Sequence, residues 1–241
     1  MANTYFACKQ FTIQQAHNAM KVTTDSCLFG AWVAHKIKGF EGTVLDVGAG
    51  TGLLSLQIAQ QTNATITAVE IQPAAAAECA ENFRNSVFSN QCVVVETSFQ
   101  RFAENTPTCF DVIVSNPPFY EHSLASASTA KNAAHHSAEL SLAELFSCSK
   151  KLLQQPYGQL FLLLPFYRLQ ETIALAHSYK WYAQETVVVY PNTTKPAFRV
   201  MLCLTAEAEP NLRQQTLYIR NTTNDYSHEF IKLLQPYYLF L

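Results

Sequence analysis

Residues 44–52 read VLDVGAGTG: a short apolar run ends in a turn carrying glycines at 48, 50 and 52, and residues 53–61, LLSLQIAQQ, follow with apolar side chains at helical spacing. The order is strand, glycine loop, helix. Glycines there let the backbone approach a ligand and adopt dihedrals closed to other residues. The spacing is Asp-x-Gly-x-Gly-x-Gly. It is neither the GxGxxG of nicotinamide-binding folds nor a loop closed by Gly-Lys-Ser/Thr for a nucleoside triphosphate. Residues 65–70, TITAVE, supply a second strand whose terminal acid lies 18 residues after Gly52, where doubly wound folds place a ribose-hydroxyl acceptor. Asp46, Gly48, Gly50 and Glu70 are therefore expected to form one ligand surface.

A second strand-to-loop junction is residues 110–119, FDVIVSNPPF. Val112, Ile113 and Val114 have the β-branching of a strand buried on both faces, and Pro117 and Pro118 stop it. Asn116 thus emerges with little freedom at a strand's carboxyl end, where open α/β sheets bind ligands. A planar amine presented there can donate its two hydrogens to the Asn116 side-chain oxygen and the Pro117 carbonyl while Phe119 stacks on the ring. Without the glycine loop, a plain strand-ending turn explains the same four residues equally well.

The rest of the chain fits around these junctions. Helices are expected over 25–38, capped near Thr24 or Asp25, and over 73–85, 141–154 and 168–178, with a buried strand over 158–165. Residues 186–190 and 198–205 read as an antiparallel edge pair. The expected fold is α/β: a Rossmann-like, mixed seven-stranded sheet with right-handed crossovers and helices on both faces. With no repeat, linker or low-complexity run, residues 1–241 are expected to form one domain. Residues 1–42 are expected to form an amino-terminal helical segment, and residues 206–241 a carboxyl-terminal docking tail.

Composition narrows the function classes. No apolar run approaches membrane-spanning length and no signal-peptide core is present, so a cytoplasmic location is expected. Seven cysteines without a CxxC spacing fit reduced core hydrophobes, and no metal site is indicated. His135 and His136 are adjacent and diverge on a helix. The net charge of −2 gives no help to a nucleic-acid partner, but its distribution does. Residues 1–40 hold four lysines against Asp25, residues 150–220 eight basic side chains against four acids, and residues 60–115 six acids against two arginines. If the basic ends share a face, Lys21, Lys195 and Arg199 are candidates to contact phosphates.

DVGAGTG followed by a strand-end acid resembles motifs I and II of class I S-adenosylmethionine-dependent methyltransferases, and SNPPF resembles their motif IV for amino-nitrogen targets. Nearly the whole chain is similar to the bacterial tRNA N6-adenine methyltransferase family that modifies the adenine beside the anticodon of a valine tRNA. Residues 6–32 resemble that family's opening block, in which a Lys-Val-x-Thr-Asp stretch leads a helix across the cofactor pocket. Residues 226–241 resemble its terminal signature. The resemblance implies S-adenosyl-L-methionine as cofactor, held by Asp46, Gly48, Ala49, Gly50, Gly52, Glu70, Ile71, Thr24 and Asp25. It implies Asn116, Pro117, Pro118 and Phe119 as catalytic residues, a tRNA anticodon loop as partner, and no obligate protein partner, membrane or metal.

The chain departs from the family pattern at two places. Ser98 stands where such enzymes usually have an Asp accepting from the cofactor adenine; its hydroxyl accepts without a charge, and Glu96 competes for the role. Ala134-His135-His136 stands where Ala-Arg-His is usual. Other readings are a protein glutamine-N5 methyltransferase, an rRNA guanine-N2 methyltransferase, and a non-catalytic methyltransferase-like binding subunit. The first typically needs an extra amino-terminal helical domain, for which the roughly 40 residues before Val44 leave no room. The second tends to carry a His where this chain has Tyr120. The third would keep the fold and lose the pocket, whereas both motifs are intact.

Overall fold

A computed structural model describes residues 3–16, 21–117, 140–208 and 212–241. Along them run β1 (Tyr5–Ala7), β2 (Thr12–Gln14), α1 (Thr24–Lys36), β3 (Thr43–Val47), α2 (Leu53–Ala59), β4 (Thr65–Glu70), α3 (Pro73–Arg84), β5 (Cys92–Glu96), α4 (Phe99–Asn105) and β6 (Val112–Ser115). They continue with α5 (Leu142–Leu152), β7 (Gln159–Pro165), a 3-10 turn (Phe166–Arg168), α6 (Leu169–Ser178), β8 (Tyr182–Tyr190), β9 (Arg199–Thr205), β10 (Arg213–Tyr218) and α7 (His228–Leu234). The main sheet has the order β10-β8-β9-β7-β6-β3-β4-β5, and β1-β2 form a separate hairpin. Within the main sheet β9 alone runs against its neighbours. From β3 the chain steps outward to β4 and β5, then returns to β6 on β3's other side. The topological switch point is the gap between the carboxyl ends of β3 and β6, where such sheets bind ligands.

Period-two alternation splits the strands' side chains between two cores. Val44, Val112, Val114, Phe161 and Leu163 pack with α1, α2, α3 and α7; Leu45, Val47, Ile113, Leu160 and Leu162 pack with α4, α5 and α6. Both faces are covered, which is why β6 and β7 carry the unbroken apolar runs 112–114 and 160–164 and why β3 is apolar at Val44, Leu45 and Val47. Helix α1 is buried from Ser26 to Ala34 and sets Trp32 edge-on to Phe161, centroids 5.4 Å apart. A capping box between Thr23 and Ser26 starts it, and one between Ser141 and Glu144 starts α5. Both helices begin within one residue of the expected starts, at Thr24 and Leu142.

The expected antiparallel pair is present, but it is not an edge. β9 lies between β7 and β8, and β10 adds beyond β8 in parallel, from Arg213 opposite Glu185 to Tyr218 opposite Tyr190. Strand β10, RQQTLY, buries Leu217 alone, so it carries no apolar alternation by which a sequence reading finds strands. Likewise, among the described residues of 1–42 helix is confined to α1, preceded by the hairpin that buries Phe11 and Ile13 against the α3 side of the core. In the tail, Phe230, Leu234 and Tyr237 enter the core beside α1 and α2, and the Tyr237 hydroxyl donates to the Gln57 carbonyl at 3.0 Å. Phe240 is exposed.

Several basic side chains are committed to the fold. Lys36 and Arg213 both pair with the buried Glu185, at 2.7 and 3.3 Å. Lys9 donates to the Gln235 and Leu241 carbonyls, and Lys150 lies over the Trp181 ring. All seven thiols are free, and burial pushes Cys8, Cys27, Cys92 and Cys203 up to about 12, as befits unreactive core residues. Among the described residues no helix is long and apolar enough to cross a membrane.

Candidate active site

The glycine loop hangs from the carboxyl end of β3. Gly48, Gly50 and Gly52 have φ of 72°, 54° and 79°, the left-handed region that an L side chain enters at a cost of roughly 1–2 kcal/mol. At Gly48 a Cβ would meet no atom within 4 Å, whereas at Gly52 it would fall 2.5 Å from the Phe83 ring. The two glycines thus serve different ends: Gly52 lets α2 approach α3, and Gly48 leaves an open cradle. The amides of Gly48 and Ala49 donate to the Val69 carbonyl at 2.9 and 3.2 Å, tying the loop to the end of β4.

Two acids bracket this loop. Glu70, almost wholly buried, accepts from the Gly50 amide at 2.9 Å on Oε2 and from the Gln72 amide at 2.8 Å on Oε1. Each oxygen keeps a further lone pair for a ligand. Asp46 is fully buried beneath the loop, and the Ser55 hydroxyl donates to its Oδ2 at 2.7 Å. Its Oδ1 has no partner among the described residues. Burial pushes the carboxyl up to about 6, with Glu70 adding repulsion and Ser55 opposing the shift. A buried acceptor without a donor, next to a cradle without a side chain, fits a cofactor that brings both a donor and a flat body. Ile71, exposed immediately after Glu70, adds an apolar surface on the same side.

Asn116 and Pro117 sit across the switch point from this loop. Val47 and Ser115 are register partners, and the buried Ser115 hydroxyl donates to the Val47 carbonyl at 2.8 Å. The next residue on one strand is Gly48 and on the other Asn116, so one hydrogen bond fixes the two motifs side by side. Asn116 is half-buried and Pro117 buried. Pro118 and Phe119, like His135 and His136, lie outside the described residues.

The remaining expected residues distribute as follows. Glu96 pairs in register with Glu70 at the end of β5. Ser98 caps α4, accepting from the Arg101 amide at 3.2 Å, which leaves its hydroxyl one lone pair and its proton. Thr24 opens α1 at the same rim. Asp25 and Arg199, expected to serve cofactor and RNA respectively, form one ion pair at 2.6 Å that joins α1 to β9. Lys21 donates to the Gln15 carbonyl, and Lys195 is exposed in the β8–β9 loop.

Sequence reading missed the residue that braces the loop. Asn82 of α3, 1% exposed, accepts from the Gln14 amide at 2.8 Å and donates to the Gln14 and Thr51 carbonyls, both at 2.9 Å. Next to it Gln15 accepts from the Val22 amide at 2.8 Å, so the hairpin links the glycine loop to the start of α1. In the sequence Asn82 is an ordinary polar helix residue, and only its burial exposes the role. Asn82→Ala strands three backbone groups and is expected to cost about 2 kcal/mol of stability and to weaken cofactor binding. Thermal unfolding and calorimetric titration with S-adenosylmethionine check this; unchanged values of both would make the brace incidental.

Comparison with known proteins agrees with this geometry. The family described as "Methyltransferase small domain" matches residues 25–147. The chain is 37% identical over 240 residues to the tRNA1(Val) (adenine(37)-N6)-methyltransferase of Cytophaga hutchinsonii, covering 99% of each. It is 34% identical to the protein of the same name from Yersinia pestis, covering 97% of this chain and 93% of that one. Among solved structures it is similar to a predicted O-methyltransferase from Agrobacterium tumefaciens, with a TM-score of 0.68 at 17% identity over 87% of this chain and 95% of that one. It is also similar to Pyrococcus horikoshii TYW2 in complex with MeSAdo, with a TM-score of 0.59 at 12% identity over 84% of this chain and 71% of that one. With Asp46, the glycine loop, Glu70 and Asn116 gathered at one switch point, the chain belongs to the tRNA1(Val) (adenine(37)-N6)-methyltransferase family, within the class I S-adenosylmethionine-dependent methyltransferases.

Proposed function

We propose that this enzyme transfers a methyl group from S-adenosylmethionine to the N6 amine of adenine 37, beside the anticodon of tRNA1(Val), in the cytoplasm. The observation that carries the reading is the Ser115–Val47 hydrogen bond, which sets Asn116 beside the glycine loop. Asp46, Gly48, Glu70 and Ile71 would hold the cofactor, which would supply an electrophilic methyl carried on a sulfonium.

Asn116 and Pro117 supply orientation. An adenine amine is a poor nucleophile because its lone pair is delocalised into the ring. When its two hydrogens are accepted by the Asn116 side-chain oxygen and the Pro117 carbonyl, the nitrogen is favoured in a pyramidal form with its lone pair aimed at the methyl. Both bonds strengthen as positive charge develops on that nitrogen. The extra proton on the amine nitrogen can leave to solvent after transfer, so no strong base is required of this chain. Phe119 holds the base by stacking. A single-stranded anticodon loop makes extrusion of the base inexpensive, whereas a duplex does not.

The test is methyl transfer from labelled S-adenosylmethionine into RNA lacking the modification and, separately, into a protein extract, followed by nucleoside and amino-acid analysis. N6-methyladenosine in tRNA is expected. Methylglutamine in protein, or N2-methylguanosine in rRNA, overturns the reading.

A further inference from the structure

The carboxyl edge that bears Asn116 continues across four more strands, and it changes character along the way. Toward β4 and β5 it is acidic, ending in Glu70 and Glu96. Toward β10 it alternates aromatic and basic side chains. Strand β7 ends in the turn holding Phe166, Tyr167 and Arg168, and Tyr167 is 67% exposed. Pro165 at that end pairs with Arg199, the first residue of the antiparallel β9, and Arg199 lies over the Phe198 ring at 5.4 Å. The parallel strands β8 and β10 then end together at Tyr190 and Tyr218, rings 5.1 Å apart, with Tyr218 partly exposed. Lys195 stands exposed in the loop between β8 and β9.

We propose that this edge, from the Phe166–Arg168 turn to Tyr218, binds the unpaired nucleotides that flank the target adenine. The inference rests on the RNA-methylation reading and names the surface that reading lacks. Adjacent strands lie about 4.8 Å apart, so the four steps from β6 to β10 cover about 19 Å, room for several nucleotides stretched away from the base at Asn116. Exposed rings offer stacking faces that accept any base, and interleaved cations follow the phosphates. The acidic wing at β4–β5 repels the same backbone and assigns it to the β7–β10 side. Arg199 is held by Asp25 and Arg168 by Glu171, at 2.6 and 3.6 Å, so Lys195 carries the phosphate contact in the test.

Tyr167→Ala and Tyr218→Ala are compared with wild type in steady-state methylation of an unmodified tRNA transcript, with cofactor affinity measured in parallel. Stacking at these sites predicts a rise of about tenfold in the RNA KM for Tyr167→Ala, recovery in Tyr167→Phe, and an unchanged cofactor Kd. Lys195→Ala should lower the slope of log affinity against log salt by about 0.7. Tyr157, 88% exposed before β7 at the opposite edge, is the control: Tyr157→Ala should leave the KM as it is. Equal KM values in both rim variants and wild type overturn the surface while leaving the activity intact, as does capture of a protein partner lost in those variants at constant KM. Absence of RNA methylation by wild type would instead remove the underlying reading.

Discussion

Asn116→Ala is expected to lower kcat by a factor of about 10²–10³ while leaving S-adenosylmethionine affinity within about twofold, because it removes an acceptor whose bond strengthens only as charge develops. The side chain leaves the end of β6 one residue past the Ser115 hydroxyl that is anchored on β3. Asn116→Asp tests the same point differently: it keeps an acceptor oxygen but adds a charge in a half-buried position, so partial activity is expected. Single-turnover rates at saturating RNA, paired with calorimetric titration of the cofactor, separate the two quantities. A large loss of cofactor affinity with a normal rate at saturation would make Asn116 a structural residue.

Asp46→Ala carries the opposite weighting. A hydrogen bond from the cofactor to the charged carboxylate is worth about 1.5–3 kcal/mol, so its Kd should rise about 10- to 150-fold, with kcat at saturating cofactor much less affected. The carboxyl also gives the protein a pH signature. Its folded pKa of about 6 exceeds the ordinary 3.8, so between those values the folded chain binds more protons than the unfolded one. Stability from this group is therefore lost as pH rises through that window and is level above it, a change of about 3 kcal/mol at most. Asp46→Asn removes the ionisation, so the ligand-free variant should lose less melting temperature than wild type between about pH 4 and pH 7. Cofactor affinity of wild type should strengthen over the same range, since the ionised carboxylate is the better acceptor. Parallel pH curves for wild type and Asp46→Asn would show that the buried carboxyl is not the titrating group.

How much of this was legible in the sequence follows from how local each signal is. Strand, glycine loop and helix from β3 to α2 are encoded in contiguous residues, as are the β6 exit at Asn116 and the acid ending β4; all three stand where spacing placed them. The start of α1 was expected near a cap at Thr24 or Asp25, and the capping residue is the neighbouring Thr23; Ser141, expected to begin the next helix, is the residue that caps it. What spacing misses is pairing across the chain. Arg199 and Asp25 are 174 residues apart, and nothing local links a candidate RNA contact to a candidate cofactor contact. Asn82 reads as solvent-facing until the hairpin of β1 and β2 covers it. Strand β10 is polar because one apolar residue suffices to seat it, so its evidence is the backbone ladder to β8, which composition does not encode. The counted basic excess at the two ends is reduced in the same way, because Lys36 and Arg213 share one buried carboxylate.

The central claim is that the edge shared by the glycine loop and Asn116 methylates one exposed adenine amine. Its most direct test is transfer of labelled methyl to two tRNA1(Val) transcripts that differ only in carrying adenine or guanine at position 37, with the products resolved as nucleosides. N6-methyladenosine from the first and no incorporation into the second is the predicted result; equal incorporation into both, or a methylated nucleoside other than N6-methyladenosine, would contradict it.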